Sequence, residues 1–226
     1  MPDAKRFAVY YAPRPGAFAD RAACWLGRDP ETGDRRTQPD LGLPAAEITA
    51  EPRRYGFHGT IKPPFRLAPG AAPADLDRAL RVLAARSKPV TMPGLRIANL
   101  DGFLAFVPLG DTAALQRLGE TVVRDLDPLR APLTEAEIAR RRPHRLSPRQ
   151  RDLLDQWGYP FVMEEFRFHL TLTDRLPAAL AMQAQAVLLA HFAPVLPRPF
   201  VIADLCLFEE PEDGLFRLVH RYALTG

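Results

Sequence analysis

An extended segment, a helix and a hairpin occur in that order twice in this chain of 226 residues, and such a doubling narrows the possible folds more than any other feature. In the first unit Tyr55–Arg66 (YGFHGTIKPPFR) reads as extended, with a helix over about 73–86 and a hairpin turning at Asp101 and Gly102. In the second, Phe166–Thr173 (FRFHLTLT) reads as a strand, with a helix over about 177–191 and a hairpin turning at Asp213 and Gly214. The anchors keep their order: His58 and His169 are 111 apart, IANL at 97–100 and IADL at 202–205 are 105 apart, and the two turns are 112 apart. Asp-Gly between apolar runs favours a type I′ turn, which needs positive φ at both central residues. Two unrelated stretches with common turn chemistry are the alternative, and the shared order of several anchors argues for duplication.

Around these units, Phe7–Ala12 reads as a first strand closed by Pro13 and Pro15, and a helix over about 17–26 stops at Gly27. Residues 28–54 are polar, punctuated by Pro and Gly, and read mostly as loop. A helix over about 111–126 closes the first unit. Between the units lies a helical insertion with two capping boxes, Thr134-x-x-Glu137 and Ser147-Pro148-x-Gln150, ending at Gly158 and Pro160.

Composition removes several classes. Hydrophobic residues make up 47% and charged residues 25%, as in an ordinary globule, and a formal charge of +3 does not by itself call for nucleic acid or membrane. Only three of the 30 basic residues are lysine, so arginine is the default cation and a lysine such as Lys62 is the more informative. Cys24 and Cys206 form no disulfide framework, and no Cys/His spacing suggests a metal site; no cofactor is expected. The first residues lack an apolar signal core, and the apolar stretch 177–196 is broken by Gln183, Gln185 and His191. A cytoplasmic protein with no membrane partner is the expectation.

Strand parity locates the chemistry. Alternate side chains of a strand face opposite ways. In 166–173 one face receives Phe166, Phe168, Leu170 and Leu172, and the other Arg167, His169, Thr171 and Thr173. In the first unit Phe57 and Ile61 oppose His58, Thr60 and Lys62. A sheet covered by helices on its apolar side therefore exposes two His-x-Thr pairs, which a pseudo-twofold axis would bring face to face. Two imidazoles can hold one base and one protonated acid near neutral pH. The threonine hydroxyls can donate to phosphate oxygens, and Lys62 and Arg167 can add positive charge where a phosphoryl transition state gathers negative charge.

His58-Gly-Thr60-Ile and His169-Leu-Thr171-Leu resemble the paired His-x-Thr-x motifs of the 2H phosphoesterase superfamily, whose relatives include cyclic nucleotide phosphodiesterases and bacterial enzymes that join or open RNA ends. The strings YGFHGTIKPPF (55–65) and WGYPFVMEEFRFHLTLT (157–173), with YYAP and WLGRD (25–29), resemble a bacterial branch found beside phosphonate-degradation genes. The resemblance implies an α+β fold of two pseudo-twofold-related antiparallel lobes with helices outside and a groove between them. On this reading 1–226 is one bilobal domain: a lobe around 55–126, the insertion at about 127–160, and a lobe around 161–226 with a contribution from 1–27. It also implies metal-independent cleavage or opening of a cyclic phosphodiester on a small ribose-containing substrate. His58 and His169 would be the acid/base pair, and Thr60 and Thr171 the phosphate ligands.

Lys62, Arg167 and Thr173 are further candidates for substrate contact by parity. Tyr55 joins them only if Gly56 breaks the strand's regularity. The run Arg140, Arg141, Arg142, His144, Arg145, Arg149 and Arg151 reads as a solvated surface, with a basic lid or a nucleic-acid contact as alternatives. Two rival functions stand beside the first: an RNA-end 2′,3′-cyclic phosphodiesterase or 2′–5′ ligase-like enzyme, and a non-catalytic nucleotide or RNA-end binder.

Overall fold

A computed structural model describes residues 6–226. The elements run β1 (Arg6–Tyr11), α1 (Ala17–Leu26), α2 (Ala45–Ile48), α3 (Ala50–Tyr55), β2 (Gly59–Arg66), α4 (Pro73–Ala85), β3 (Val90–Met92), β4 (Leu95–Leu100), β5 (Phe103–Pro108) and α5 (Ala113–Asp125). They continue with α6 (Glu135–Arg140), α7 (Pro148–Trp157), β6 (Leu170–Arg175), α8 (Ala178–Phe192), β7 (Phe200–Ile202), β8 (Asp204–Glu210) and β9 (Arg217–Ala223). The class is α+β, as expected. Residues 28–54 are mostly irregular, as expected, and end in the short helices α2 and α3, tied together by the Thr49 hydroxyl donating to the Ala45 carbonyl.

Seven strands form one sheet in the order β4-β5-β6-β2-β1-β8-β9, with every neighbour antiparallel, and β3 pairs with β7 separately. The two sequence units are β2-α4-β3-β4-β5 and β6-α8-β7-β8-β9, but the sheet does not divide between them. The opening strand of each unit has crossed over: β6 lies against β5 of the first unit, and β2 lies with β1 and β8 of the other half. Equivalent strands therefore meet each other. Gly59 pairs with Leu170, and each of these follows its histidine by one residue. Pairing a position with its own repeat equivalent is what a local twofold axis produces, and the β3–β7 pair repeats the pattern.

One face of the sheet carries the main core. Phe7, Val9, Tyr11, Ile61, Phe65, Leu170 and Leu172 pack there beneath α1, α4, α5 and α8. Trp25 of α1 is fully buried and its indole N–H donates to the Leu172 carbonyl (2.8 Å), locking the helix layer to β6. Helix α8 is apolar apart from Gln183, Gln185 and His191, and with the following turn it makes an 18-residue stretch of mean hydropathy 1.4. Its inner face, Ala181, Ala184, Leu188 and Phe192, lies in the core, whereas Met182 and Leu189 are exposed. The opposite face of β1 and β8 bears a smaller cluster of Ala8, Tyr10, Cys206, Phe208 and Phe216.

The hairpins differ from each other. Asp101 (φ 51°) and Gly102 (φ 103°) both take positive φ and join β4 to β5 in two residues, as expected. The second connection is longer, spanning 211–216, and of its Asp-Gly pair only Gly214 takes positive φ. Asp213 instead accepts the Leu215 N–H and pairs with Arg217, and Phe216 folds back into the aromatic cluster.

Candidate active site

The Gly59–Leu170 pair puts both motifs on one short stretch of ladder. Extending the register one residue each way sets His58 opposite Thr171 and Thr60 opposite His169. Those four side chains share the face away from the main core. His58 and His169 are diagonal neighbours, about 7–8 Å apart at the backbone, which leaves room for one phosphoryl group between the rings. Gly59 faces the other way, and an added Cβ would stand 2.3 Å from the Phe168 ring. The strands can approach at the axis because one of the two central residues has no side chain.

Both imidazoles are held alike. His58 Nδ1–H donates to the Gly56 carbonyl (2.8 Å), and His169 Nδ1–H donates to the Arg167 carbonyl (2.7 Å), each acceptor two residues upstream. A carbonyl can only accept, so the proton of each neutral ring sits on Nδ1 and Nε2 is bare. The Thr60 hydroxyl donates to Nε2 of His58 (3.3 Å). The His58 acceptor is presented by Gly56 at φ 72°, where a Cβ would meet Pro30 at 2.4 Å. That kink ends α3 and turns Tyr55 toward the site, with its ring centroid 5.9 Å from that of His58.

Aromatic rings wall both histidines. Tyr10, almost fully buried, lies 4.0 Å from the His58 ring centroid and packs on Phe208 and Phe216. Phe103 stands 5.5 Å from His169. Desolvation by these walls lowers the His58 pKa to about 4; the Gly56 hydrogen bond opposes the shift, and the nearby charge of His169 adds to it. Burial also lowers His169, against its bond to the Arg167 carbonyl.

Two parity candidates fall outside the site. Lys62 is buried, 1% exposed; its ammonium donates to the Val123 carbonyl (3.2 Å), stands 3.9 Å from Asp127 and lies over Phe65. Burial lowers its pKa to about 8, with Asp127 opposing. The cause is a register shift: between Thr60 and Lys62 the β2 ladder advances two residues while β1 advances one. Thr173, also 1% exposed, accepts the Leu104 N–H (3.0 Å) and donates to the Asp174 carbonyl (2.8 Å). A second shift, between the Phe103–Arg175 and Ala105–Thr171 pairs, spans it. Each bulge follows its His-x-Thr motif and turns the fourth residue after the histidine away from the groove. Arg167 is exposed and contributes its carbonyl; among the described residues its guanidinium has no partner.

Tyr10 and Phe103, whose rings lie beside His58 and His169, are site residues that parity reasoning passed over. Tyr10 was within reach: in FAVYYA, alternation already separates Ala8, Tyr10 and Ala12 from the core-facing Phe7, Val9 and Tyr11. Burial pushes the Tyr10 and Tyr159 phenols above the usual range, and the neighbouring charge of Tyr55 adds to each shift. Most of the arginine-rich segment is surface: Arg149 pairs with Glu164, and Arg151 donates to the Leu146 carbonyl. Among the described residues no three His, Cys, Asp or Glu side chains converge as a metal site.

Fold and site together define a class: an antiparallel α+β protein whose two His-x-Thr motifs meet at a local twofold axis, the arrangement that the resemblance to the 2H phosphoesterases implies. Within that class the chain belongs to the family described as protein of unknown function (DUF1045), which matches residues 60–217. It is 37% identical over 218 residues to "Ribose 1,5-bisphosphate phosphokinase PhnN" of Janthinobacterium sp. (strain Marseille), covering 92% of this chain and 48% of that protein. It is 38% identical over 224 residues to the protein of the same name in Laribacter hongkongensis (strain HLHK9), covering 94% and 50%. The chain thus spans about half the length of these curated relatives. Among solved structures, E. coli LigT complexed with 3′-AMP aligns over 100% of both chains at 14% identity and a TM-score of 0.46.

Proposed function

We propose that the protein is a metal-independent phosphoesterase that opens or cleaves a cyclic phosphodiester on a small ribose-containing molecule. The observation that carries this reading is the matched pair of histidines about the Gly59–Leu170 axis, each with Nδ1–H tied to a carbonyl and Nε2 bare. One imidazole starts as the base and the other as the acid, with His58 taken as the base and His169 as the acid. His58 Nε2 withdraws a proton from water as its oxygen bonds to phosphorus. His169 gives its proton to the sugar oxygen as that P–O bond breaks. With substrate bound, the Thr60 hydroxyl turns from His58 Nε2 to one non-bridging oxygen, freeing that nitrogen for the water, and Thr171 donates to the other. Microscopic reversal of the same steps closes the ring again.

The kinase named for the curated relatives belongs to proteins twice as long. In this chain Lys5, Lys62 and Lys88 all follow residues other than glycine, so no Gly-Lys phosphate-binding loop is present. The shared name supports a ribose phosphate as substrate; a place in phosphonate metabolism is proposed from the resemblance of the two long strings, and a cytoplasmic setting is proposed with it. The test is an EDTA-treated screen of ribose 1,2-cyclic and nucleoside 2′,3′-cyclic phosphates with products read by phosphorus NMR. Turnover of a ribose cyclic phosphate supports the reading; saturable binding without turnover at any pH selects a sensor instead. Oligonucleotide binding that falls steeply with salt would favour the RNA-end enzyme.

A further inference from the structure

We propose that Arg28, the arginine of the WLGRD string, is a positioning residue for His58: it holds the backbone whose Gly56 carbonyl keeps the proton of that ring on Nδ1 and leaves Nε2 bare toward the groove. This rests on the two-histidine reading above. Arg28 is 3% exposed, and among the described residues every partner of its guanidinium is a backbone carbonyl. Nη2 donates to the Phe216 carbonyl (2.7 Å) and lies 3.5 Å from that of Leu215, while Nη1 reaches the Arg53 and Arg54 carbonyls, each at 3.4 Å. The buried Nε has no partner. Asp29, next in the string, is taken by Arg36 (2.7 Å) and by the Glu31 N–H (2.9 Å). A buried cation without a carboxylate beside it gains little stability. Its contribution is the geometry it imposes, a planar fork that spans two segments of backbone.

Those two segments hold His58. Arg53 and Arg54 lie at the end of α3, where the last carbonyls lack partners within the helix. The Arg53 carbonyl also accepts the Gly56 N–H (3.2 Å), and the Gly56 carbonyl accepts His58 Nδ1–H (2.8 Å). A series of hydrogen bonds therefore runs from guanidinium to imidazole. On the other side Arg28 fixes Phe216, whose N–H donates to the Arg54 carbonyl (2.8 Å). The Phe216 ring stacks on Tyr55 (5.1 Å) and lies 6.2 Å from Tyr10, the ring that walls His58. Pro30 adds support, since a Cβ at Gly56 would meet it at 2.4 Å. At the start of the string the Trp25 indole bonds to the Leu172 carbonyl, one residue beyond Thr171. The turn over 25–30 thus braces both motif strands, and Arg28 acts on the His58 side.

Nitrogen NMR of the neutral imidazoles tests this without turnover, on wild type, Arg28→Lys, Arg28→Gln and a control, Arg35→Ala, at an exposed neighbour. Lysine keeps the charge and glutamine keeps donors, but each reaches only one of the two segments. Wild type and Arg35→Ala should show the proton on Nδ1 of both histidines. In folded Arg28→Lys and Arg28→Gln, His58 should become a mixture of Nδ1–H and Nε2–H forms while His169 stays as it was. In the same variants kcat for ribose 1,2-cyclic phosphate should fall about 10–100-fold, with KM changed less than about threefold. An unchanged His58 tautomer in both variants, equal changes in the two histidines, or failure of both variants to fold would overturn the positioning role. A His58 tautomer that follows Arg28 with no cyclic phosphate turned over would instead overturn the phosphoesterase reading and leave the hold on His58 standing.

Discussion

Lowering the pH from 7.5 to 5 should destabilise the protein through His58, by an amount its environment sets. The folded ring, walled by Tyr10, has a pKa of about 4 against 6.5 in the unfolded chain. Between those values the unfolded chain binds a proton that the folded protein refuses. The stability contribution is therefore complete above pH 6.5 and is lost as pH falls toward 4. At pH 5 the linkage amounts to about 2 kcal/mol, and solvent at the ring's open edge reduces this to about 1–2 kcal/mol. Urea unfolding of wild type and His58→Gln at both pH values reads it: the variant should lose less stability on acidification, by that difference. Proton NMR should show His58 titrating well below 6.5 in the free protein, and moving up when inorganic phosphate sits between the rings. A His58 resonance titrating at 6.5 or above without phosphate, or identical acid sensitivity in the two proteins, would refute the reasoning.

Lys62→Met should change kcat/KM by less than about threefold, because the ammonium bonds to Val123 and not to substrate. The folded lysine has its pKa lowered to about 8, so wild type should gain stability as pH rises from 8 to 10.5, by up to about 3 kcal/mol. Urea titrations should show that gain missing in the variant; a hundredfold loss of kcat/KM would restore Lys62 to the site. Gly59→Ala should cost about 1–3 kcal/mol, since its Cβ meets the Phe168 ring, and should depress turnover by separating the motifs. Adding Phe168→Leu should recover part of both, and a neutral Gly59→Ala would contradict the tight axis.

The alternation of FRFHLTLT was enough to place His169 and Thr171, and the duplication then placed His58 and Thr60. Parity failed at Lys62 and Thr173 because a bulge resets the alternation, and composition carries no count of residues per ladder step. A partial signal was present: Pro63 and Pro64 cannot donate to a ladder, so β2 could not run regularly past Lys62. The crossing of β2 and β6 between halves was not legible, because an apolar stripe specifies the face a strand buries and not the strand beside it. Tyr55 shows the converse. Gly56 was the one residue able to break regularity, and its positive φ brings Tyr55 to His58.

The most direct measurement is kcat/KM for a ribose cyclic phosphate across pH for wild type, His58→Ala and His169→Ala. Wild type should give a bell whose maximum lies below pH 6.5, since both free-protein pKa values are lowered, with the two limbs belonging to the coupled pair. Each single variant should lose about 10²–10⁴ in rate and one limb: the acidic limb in His58→Ala, the alkaline limb in His169→Ala. Two intact limbs at near wild-type rates in either variant would contradict a shared phosphorus between the two imidazoles.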